Sequence, residues 1–292
     1  MSSTKEIRQT WFINDFKNTE YTDNNLTPSE RMLKDFVIWV RNETLKSKKN
    51  LNLYAHNAAK FDMQFLLAVL IKNLEPTDSI KIIQNKGKLV SVDLNINAKV
   101  EDKKTNKVKV SFLDSYQLLP GSLNQLAKQF GVDQKIVFDV KNIDQDTDLD
   151  AMEFRLLTYN MKDSIILFEI LKTVSKMYLT KFNVNMFGAP TNSSLAMRIF
   201  RTNYLDQARD QINLTSKEMY DMIKPAYMGG ACDVYIPKNP DGSTISYYDI
   251  NSLYPSMMAM NKLPTGKYYI IKDTDMNIFD PKFDASFIRA HV

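Results

Sequence analysis

Asp249, near the end of the chain, is the residue whose side chain is the clearest candidate for metal binding. The β-branched and aromatic run 244–248 before it predicts a buried strand. Asn251 and Ser252 are residue types that begin helices, and the apolar run 253–260 predicts the helix. A carboxylate at a strand end can hold a divalent metal, and a helix start can hold phosphate. Spacing alone favours a strand–turn–helix with an N-capping acid.

A second carboxylate, Asp62, is predicted in the same kind of position. Residues 51–54 predict a short strand, and residues 63–72 predict a helix. His56 and Asn57 lie in the passage between these two elements. An N-capping acid with an Asn turn is again the structural alternative.

A long helix predicted over 151–177, with Asp150 as its N-cap, carries a third candidate group. Tyr159 and Asp163 are four residues apart, so their Cβ atoms lie about 5–6 Å apart on one face. Such a pair is common by chance, and it gains meaning only together with the carboxylate at position 62.

The remaining elements predict an α/β chain. Ser122 is a predicted N-cap, and Gly131 is predicted to end the helix that follows it. Further helices are predicted over 29–47 and 191–205, and strands over 80–84, 88–95, 107–113, 232–236 and 267–272.

The composition excludes several classes of protein. Cys232 is the only cysteine, so an intramolecular disulfide and a Cys-based zinc site are excluded. No apolar run approaches about 18 residues, so we expect no transmembrane span and no membrane partner. The net charge of +4 permits a nucleic-acid partner without requiring one.

The sequence Asp-x-x-Ser-Leu-Tyr-Pro-Ser, which begins at Asp249, resembles motif A of family B DNA polymerases. The resemblance implies that Asp249 and Ile250 bind the catalytic divalent metals, Mg²⁺ or Mn²⁺. It implies that Ser252 and Leu253 cradle the triphosphate of the incoming dNTP. Tyr254 would lie under the sugar and exclude a ribose 2′-OH. Phosphoryl transfer depends on such metals, which bridge the attacking and leaving oxygens.

Two upstream segments resemble the 3′–5′ exonuclease motifs of the same family. Asn-x3-Phe-Asp, from Asn57, is similar to the second motif, and Tyr-x3-Asp, from Tyr159, is similar to the third. The resemblance implies that Asp62 and Asp163 bind metal and that Tyr159 orients the attacking water. Lys135, in Lys-x-x-Phe, matches the catalytic lysine. Contacts with a single strand or primer are implied for His56, Asn57, Phe61, Ser122 and Leu123.

Tyr227, Gly229 and Gly230 form a Tyr-x-Gly-Gly segment that resembles the linker of protein-primed family B polymerases. This branch implies contact of the linker with template DNA. It also implies the primer strand, dNTP and a terminal protein as partners. It implies a mitochondrial location, on a linear plasmid or organellar genome, with a viral or cytoplasmic origin as the alternative.

The departures from the family pattern suggest an internal fragment. No Asp-x-Glu, the first exonuclease motif, occurs before Asn57, and the chain ends soon after motif A. We therefore expect a ribonuclease-H-like exonuclease domain without its first strand over 1–180, a helical connector over 181–225, and the start of a polymerase palm over 226–292. Two-metal sites are expected only in the full-length protein.

Three functional hypotheses follow. The first is a fragment, inactive alone, of a proofreading DNA-directed DNA polymerase, a nucleotidyltransferase. The second is a remnant that binds single-stranded DNA or a terminal protein without catalysis. The third is a free-standing ribonuclease-H-like nuclease, which leaves motif A without a role.

Overall fold

The structure is a computed structural model that describes residues 9–17, 26–85, 87–99, 105–133, 148–206 and 215–263, together with residues 270 and 277. Its contacts divide the chain into two compact units, Met1–Leu205 and Asp206–Val292. The first unit contains a sheet flanked by helices, and this confirms the predicted mixed α/β class.

The sheet of the first unit has four strands in the order β1-β4-β3-β2. The strands are β1 (Leu51–Ala55), β2 (Ser79–Asn85), β3 (Lys88–Lys99) and β4 (Thr105–Asp114). β1 is parallel to β4, and the other neighbours are antiparallel. Because Ala55 pairs with Asp114, the residues that follow β1 and β4 leave the sheet side by side.

Two hydrophobic cores cover this sheet. Helices α1 (Pro28–Ser47) and α2 (Asp62–Lys72) form the first core with buried sheet residues such as Ile96 and Val110. Helices α3 (Leu123–Phe130), α4 (Leu149–Phe182) and α5 (Asn192–Asn203) form the second. Leu53 of β1 packs on the first core and Tyr54 on the second, because successive strand residues point to opposite faces.

The ends of α3 confirm two of the predicted caps. Ser122 and Gln125 form a capping box at the start of α3, and Gly131 ends that helix in the left-handed conformation. The cap predicted at Asp150 is wrong, because α4 already begins at Leu149. The side chain of Asp148 accepts the N–H of Ala151 instead.

The second unit contains α6 (Lys217–Ile223) and α7 (Leu253–Met260). The strands predicted over 232–236 and 244–248 are wrong: these residues are described, lie outside any strand and are exposed. A β-branched run forms a strand only where another strand pairs with it, and residues 215–263 offer none. The strand predicted over 267–272 falls outside the described residues, apart from Ile270.

None of the helices in the described ranges is both long enough and apolar enough to cross a bilayer.

Candidate functional site

The residues between β1 and α2 form a tight loop with a buried back and an exposed front. Asn57 adopts the left-handed conformation, at φ 62°, which Asn tolerates better than most residues. The N–H groups of Lys60 and Phe61 donate to the carbonyls of Asn57 and Ala58 at 3.2 Å each. Ala58 and Ala59 are buried, whereas the Phe61 side chain is 59% exposed. The loop thus presents an aromatic ring from a fixed backbone.

Asp62 is the first residue of α2 and faces solvent. Phe61 occupies the N-cap position, and no side chain caps this helix start, so the interpretation of Asp62 as an N-capping acid is wrong. Asp62 also lines a groove of about 630 Å³ whose walls are mostly apolar. The groove residues from α1 and the sheet include Leu33, Phe36, Leu53, Tyr54 and Ala55.

Asp114, at the end of β4, fixes the back of the loop. Its side chain is 1% exposed, and each carboxylate oxygen accepts a backbone N–H. Oδ2 accepts from Ala59 at 3.2 Å, and Oδ1 accepts from Tyr116 at 2.9 Å. The carboxylate therefore joins the loop after β1 to the turn after β4. Our sequence reasoning missed Asp114, because its contact with the loop arises from the parallel pairing of β1 with β4, which leaves no local pattern in the sequence.

His56 and Ser115 add a second link between the same segments. Nε2 of His56 lies 2.8 Å from the carbonyl of Gly121, and Nδ1 lies 3.0 Å from the hydroxyl of Ser115. That hydroxyl also lies 3.1 Å from the carbonyl of Ala55, and its single hydrogen goes either to this carbonyl or to Nδ1. Because a carbonyl only accepts, Nε2 must carry a hydrogen. The ring of Tyr116, 41% exposed and missed by sequence reasoning, lies 5.7 Å from the His56 ring.

The start of α3 is joined to this cluster through Gly121. The Ser122 hydroxyl accepts the N–H of Gln125 at 3.3 Å and so serves the helix. Leu123 is buried in the second core. The strand contacts predicted for Ser122 and Leu123 stay predictions.

Tyr159 and Asp163 are both half-buried on α4, which packs against α3. One carboxylate oxygen of Asp163 is buried. The spacing that makes the two side chains neighbours on the helix is therefore realised, while their roles stay predictions. Lys135 lies outside the described residues.

A buried phenol lies on the second-core side of β1. The hydroxyl of Tyr54 is buried without a hydrogen-bond partner, and its ring lies 5.6 Å from that of Phe187. Burial raises the pKa of Tyr54 to about 12, because ionisation would place a charge in an apolar environment.

The described residues do not assemble a metal site. Nowhere among them do three or more His, Cys, Asp or Glu side chains come together in a way that could hold an ion. Asp62 and Asp163 alone do not fit a two-metal centre, which needs a larger set of oxygen ligands.

The motif A residues of the second unit are exposed. Asp249, Ile250, Leu253 and Tyr254 all face solvent. Ser252 precedes α7 in the left-handed conformation, at φ 56°, and its side chain makes no cap hydrogen bond. The described structure thus presents these side chains without enclosing a pocket around them.

The Tyr-x-Gly-Gly segment is equally open. Tyr227 is 90% exposed, and Gly229 and Gly230 are exposed as well. A Cβ added to either glycine would meet no atom within 4 Å. The close backbone approach that two glycines permit is therefore not made by any described residue.

Comparison with known proteins gives a consistent result. A family model described as DNA polymerase type B, organellar and viral, matches residues 43–153 and 133–292. A probable DNA polymerase of Ascobolus immersus is 33% identical over 250 residues, which cover 73% of this chain and 20% of that protein. The DNA-directed DNA polymerase of Enterobacteria phage PRD1 is 25% identical over 232 residues, 80% of this chain and 34% of that protein.

A solved structure supports the fold. Phi29 DNA polymerase, in a ternary complex with primer-template DNA and incoming nucleotides, aligns with a TM-score of 0.52 at 20% identity. The alignment covers 82% of this chain and 41% of the phage enzyme. The matched part of the chain covers 20% to 41% of the length of these relatives, while the family model covers most of this chain. The chain belongs to the organellar and viral family of type B DNA polymerases.

Proposed function

We propose that this chain is part of a protein-primed DNA polymerase that carries out template-directed DNA synthesis with 3′–5′ proofreading. Membership of the family supports the polymerase activity. Because the chain covers 20% of the Ascobolus relative, we assign synthesis to the complete polymerase and not to this chain alone. We assign residues 1–180 to a partial exonuclease domain, 181–225 to a connector and 226–292 to the start of a palm.

The single observation that carries this proposal is the loop at the end of β1. It presents Asn57, Phe61 and Asp62 together, with the Phe61 ring exposed and the loop backbone fixed from behind. An exposed aromatic ring can hold a base of a single strand by stacking, without regard to sequence. We therefore expect the isolated chain to bind single-stranded DNA at this loop.

The groove beside Asp62 supports completion of the site by another segment of the polymerase. Among the described residues β1 pairs with β4 alone, so its other edge has unpaired backbone groups. The consecutive residues Leu53, Tyr54 and Ala55 all line the groove, which therefore runs along that edge. An added strand here would bring its own carboxylates close to Asp62.

Polymerases of this family use divalent metal ions, and we propose that this one uses Mg²⁺ or Mn²⁺. Asp62 and Asp163 would contribute to the exonuclease centre, with Tyr159 and Lys135 beside it. Asp249 and Ile250 would contribute to the polymerase centre. The described residues do not gather a complete ligand set for either centre.

The remaining site residues complete the proposal. Ser252, Leu253 and Tyr254 would bind the incoming dNTP, and Tyr227 with the two glycines after it would contact template DNA. Their exposure leaves them accessible to a substrate. A terminal protein would supply the priming hydroxyl.

A second function, strand binding without catalysis, is favoured for the isolated chain by the absence of a three-ligand cluster in its described part. The two functions differ in what the rest of the polymerase adds. We also propose an organellar or viral genome as the source, in keeping with the family description and the fungal and phage relatives.

Two assays test these proposals. Fluorescence anisotropy with a labelled oligothymidylate should show binding by this chain, and the affinity should fall steeply as salt rises. The complete polymerase should show Mn²⁺- or Mg²⁺-dependent removal of 3′ nucleotides, lost in Asp62→Asn. No binding by the chain would contradict the proposal that its loop binds single-stranded DNA. Exonuclease activity unaffected by Asp62→Asn would contradict the proposed role of Asp62 in the exonuclease centre.

A further inference from the structure

We propose that Asp114 is the positioning residue of the loop between β1 and α2, residues 56–61, and that His56 acts with it by anchoring the loop. Neither residue need touch DNA to do so. The inference deepens the proposed function and rests on it for its binding test. It concerns how the loop front, with Phe61 and Asp62, is held in place.

The carboxylate of Asp114 holds the back of the loop. It is buried, and it accepts one N–H from the loop and one from the turn after β4, at Ala59 and Tyr116. Ala59 lies two residues before Phe61 and three before Asp62. A shift of the Ala59 amide therefore moves the exposed ring and the exposed carboxylate together.

The loop's first residue is anchored as well. His56 donates from Nε2 to the carbonyl of Gly121, and Nδ1 bonds to the hydroxyl of Ser115. The Ser115 hydroxyl is also within hydrogen-bond distance of the carbonyl of Ala55, the last residue of β1. Both ring nitrogens are thus engaged within the protein, which favours a positioning role for His56 over the direct DNA contact predicted for it.

A carboxylate comparable to that of Asp114 lies at the other side of the sheet. Asp78 precedes β2, the edge strand opposite β1, and is also buried. Its Oδ1 accepts the N–H of Asn97 at 3.0 Å, and its Oδ2 pairs with Arg41. Asp78 thus holds a chain segment in the same way as Asp114, but away from the loop.

The experiment compares Asp114→Asn with Asp78→Asn in this chain. An Asn has one acceptor oxygen, so Asp114→Asn forces an amide N–H₂ towards one backbone N–H. We expect faster hydrogen exchange at the Ala59 amide and about tenfold weaker oligothymidylate binding, measured where the variant is fully folded. Asp78→Asn should speed exchange near Asn97 and leave DNA affinity unchanged.

Variants at position 56 supply the rescue test. His56→Gln keeps a donor that can reach the carbonyl of Gly121, whereas His56→Ala removes it. We expect His56→Gln to recover most of the DNA affinity that His56→Ala loses. The slope of affinity against salt should be the same for wild type, Asp114→Asn and His56→Ala, because no phosphate contact is removed.

Several outcomes would overturn the proposal. Unchanged DNA affinity in Asp114→Asn, with faster exchange at Ala59, would leave Asp114 only a structural role. An equal loss of affinity in Asp78→Asn would show a general effect of destabilisation. A smaller salt slope in His56→Ala would show a direct phosphate contact. If the wild-type chain binds no DNA, the proposed function fails, and unchanged exchange at Ala59 in Asp114→Asn would then overturn the anchoring itself.

Discussion

The chain presents two aspartates at positions predicted as strand-to-helix passages, Asp62 and Asp249, and their surroundings differ. The passage at Asp62 follows a paired strand, and the buried carboxylate of Asp114 fixes its backbone. The passage at Asp249 follows exposed residues outside any strand, and no side chain caps the helix start at Ser252. The first site is built by its own unit, and the second still needs partners.

This difference shows that a specific sequence motif does not by itself ensure that its side chains are held in place by the surrounding structure. The motif around Asp249 is the more specific of the two in sequence. Among the described residues, however, fewer packing and hydrogen-bond contacts hold it than hold the loop at Asp62. A short motif states which side chains a reaction needs, while neighbouring elements decide whether those side chains are held.

The largest expected difference lies in hydrogen exchange. The central strands β3 and β4 are paired on both sides, whereas residues 232–250 have no strand partner in the part of the chain that the structure describes. We expect exchange in β3 and β4 to be about a thousandfold slower or more. Exchange measured by mass spectrometry on the intact chain checks this. Equal protection of 232–250 would show that this segment has a packed environment.

A matched pair of isoleucines measures the same contrast in stability. Ile96 is 0% exposed in the first core, and Ile245 is 76% exposed before motif A. We expect Ile96→Ala to lower the free energy of unfolding by about 2–5 kcal/mol, because it leaves a cavity. Ile245→Ala should change it by less than about 0.5 kcal/mol. Urea denaturation followed by circular dichroism gives both values, and similar losses would contradict the contrast.

Two serines before helices give the next smaller effect. The Ser122 hydroxyl accepts the N–H of Gln125 in a capping box, whereas Ser252 makes no cap bond. Ser122→Ala should cost about 1 kcal/mol of unfolding free energy. Ser252→Ala should be close to neutral. A larger cost at Ser252 would indicate a cap that forms in solution.

The sequence predicted the first unit well because its signals are local. Ser122 and Gly131 mark the ends of α3 by capping chemistry that needs no distant partner. The helix at Asp62 and the hairpin of β2 and β3 follow from apolar spacing. The strand predicted over 244–248 failed, because a β-branched run forms a strand only where another strand pairs with it.

The site was less predictable than the fold. Asp114 and Ser115 were missed because their importance arises from the parallel pairing of β1 with β4, which brings distant segments together. The DNA contact predicted for His56 from its place in a motif stays a prediction. The motif does not name Ser115 and Gly121, to which the ring nitrogens of His56 bond. Partners so far away in sequence leave no local pattern.

A smaller effect is expected at alkaline pH. Burial raises the pKa of Tyr54 to about 12, above the ordinary value of 10.0 that it has when unfolded. The folded state thus favours the neutral phenol, and this stability is full below pH 10 and is lost as pH rises towards 12. Denaturation of wild type and Tyr54→Phe should be compared between about pH 9 and pH 12, a range that spans both pKa values. Wild type should lose additional unfolding free energy over this range, and Tyr54→Phe should not.

The smallest effect is expected at acid pH. The hydrogen bond from Lys72, followed by those from Thr27, lowers the pKa of Glu30 from 4.5 to about 2. A lowered pKa stabilises the folded state above pH 4.5, and this contribution is lost as pH falls towards 2. Carboxyl titration by NMR should follow this range in wild type and move back towards 4.5 in Lys72→Ala. An unchanged titration would remove the role of Lys72.

The most direct test compares the two regions in one DNA-binding measurement on the isolated chain. Phe61→Ala removes the exposed ring of the anchored loop, and Tyr254→Ala removes an exposed ring of motif A. Loss of one stacked base lowers affinity by about 1–3 kcal/mol, or about fivefold or more. Our account predicts this loss in anisotropy with oligothymidylate for Phe61→Ala and none for Tyr254→Ala. The reverse result would contradict it.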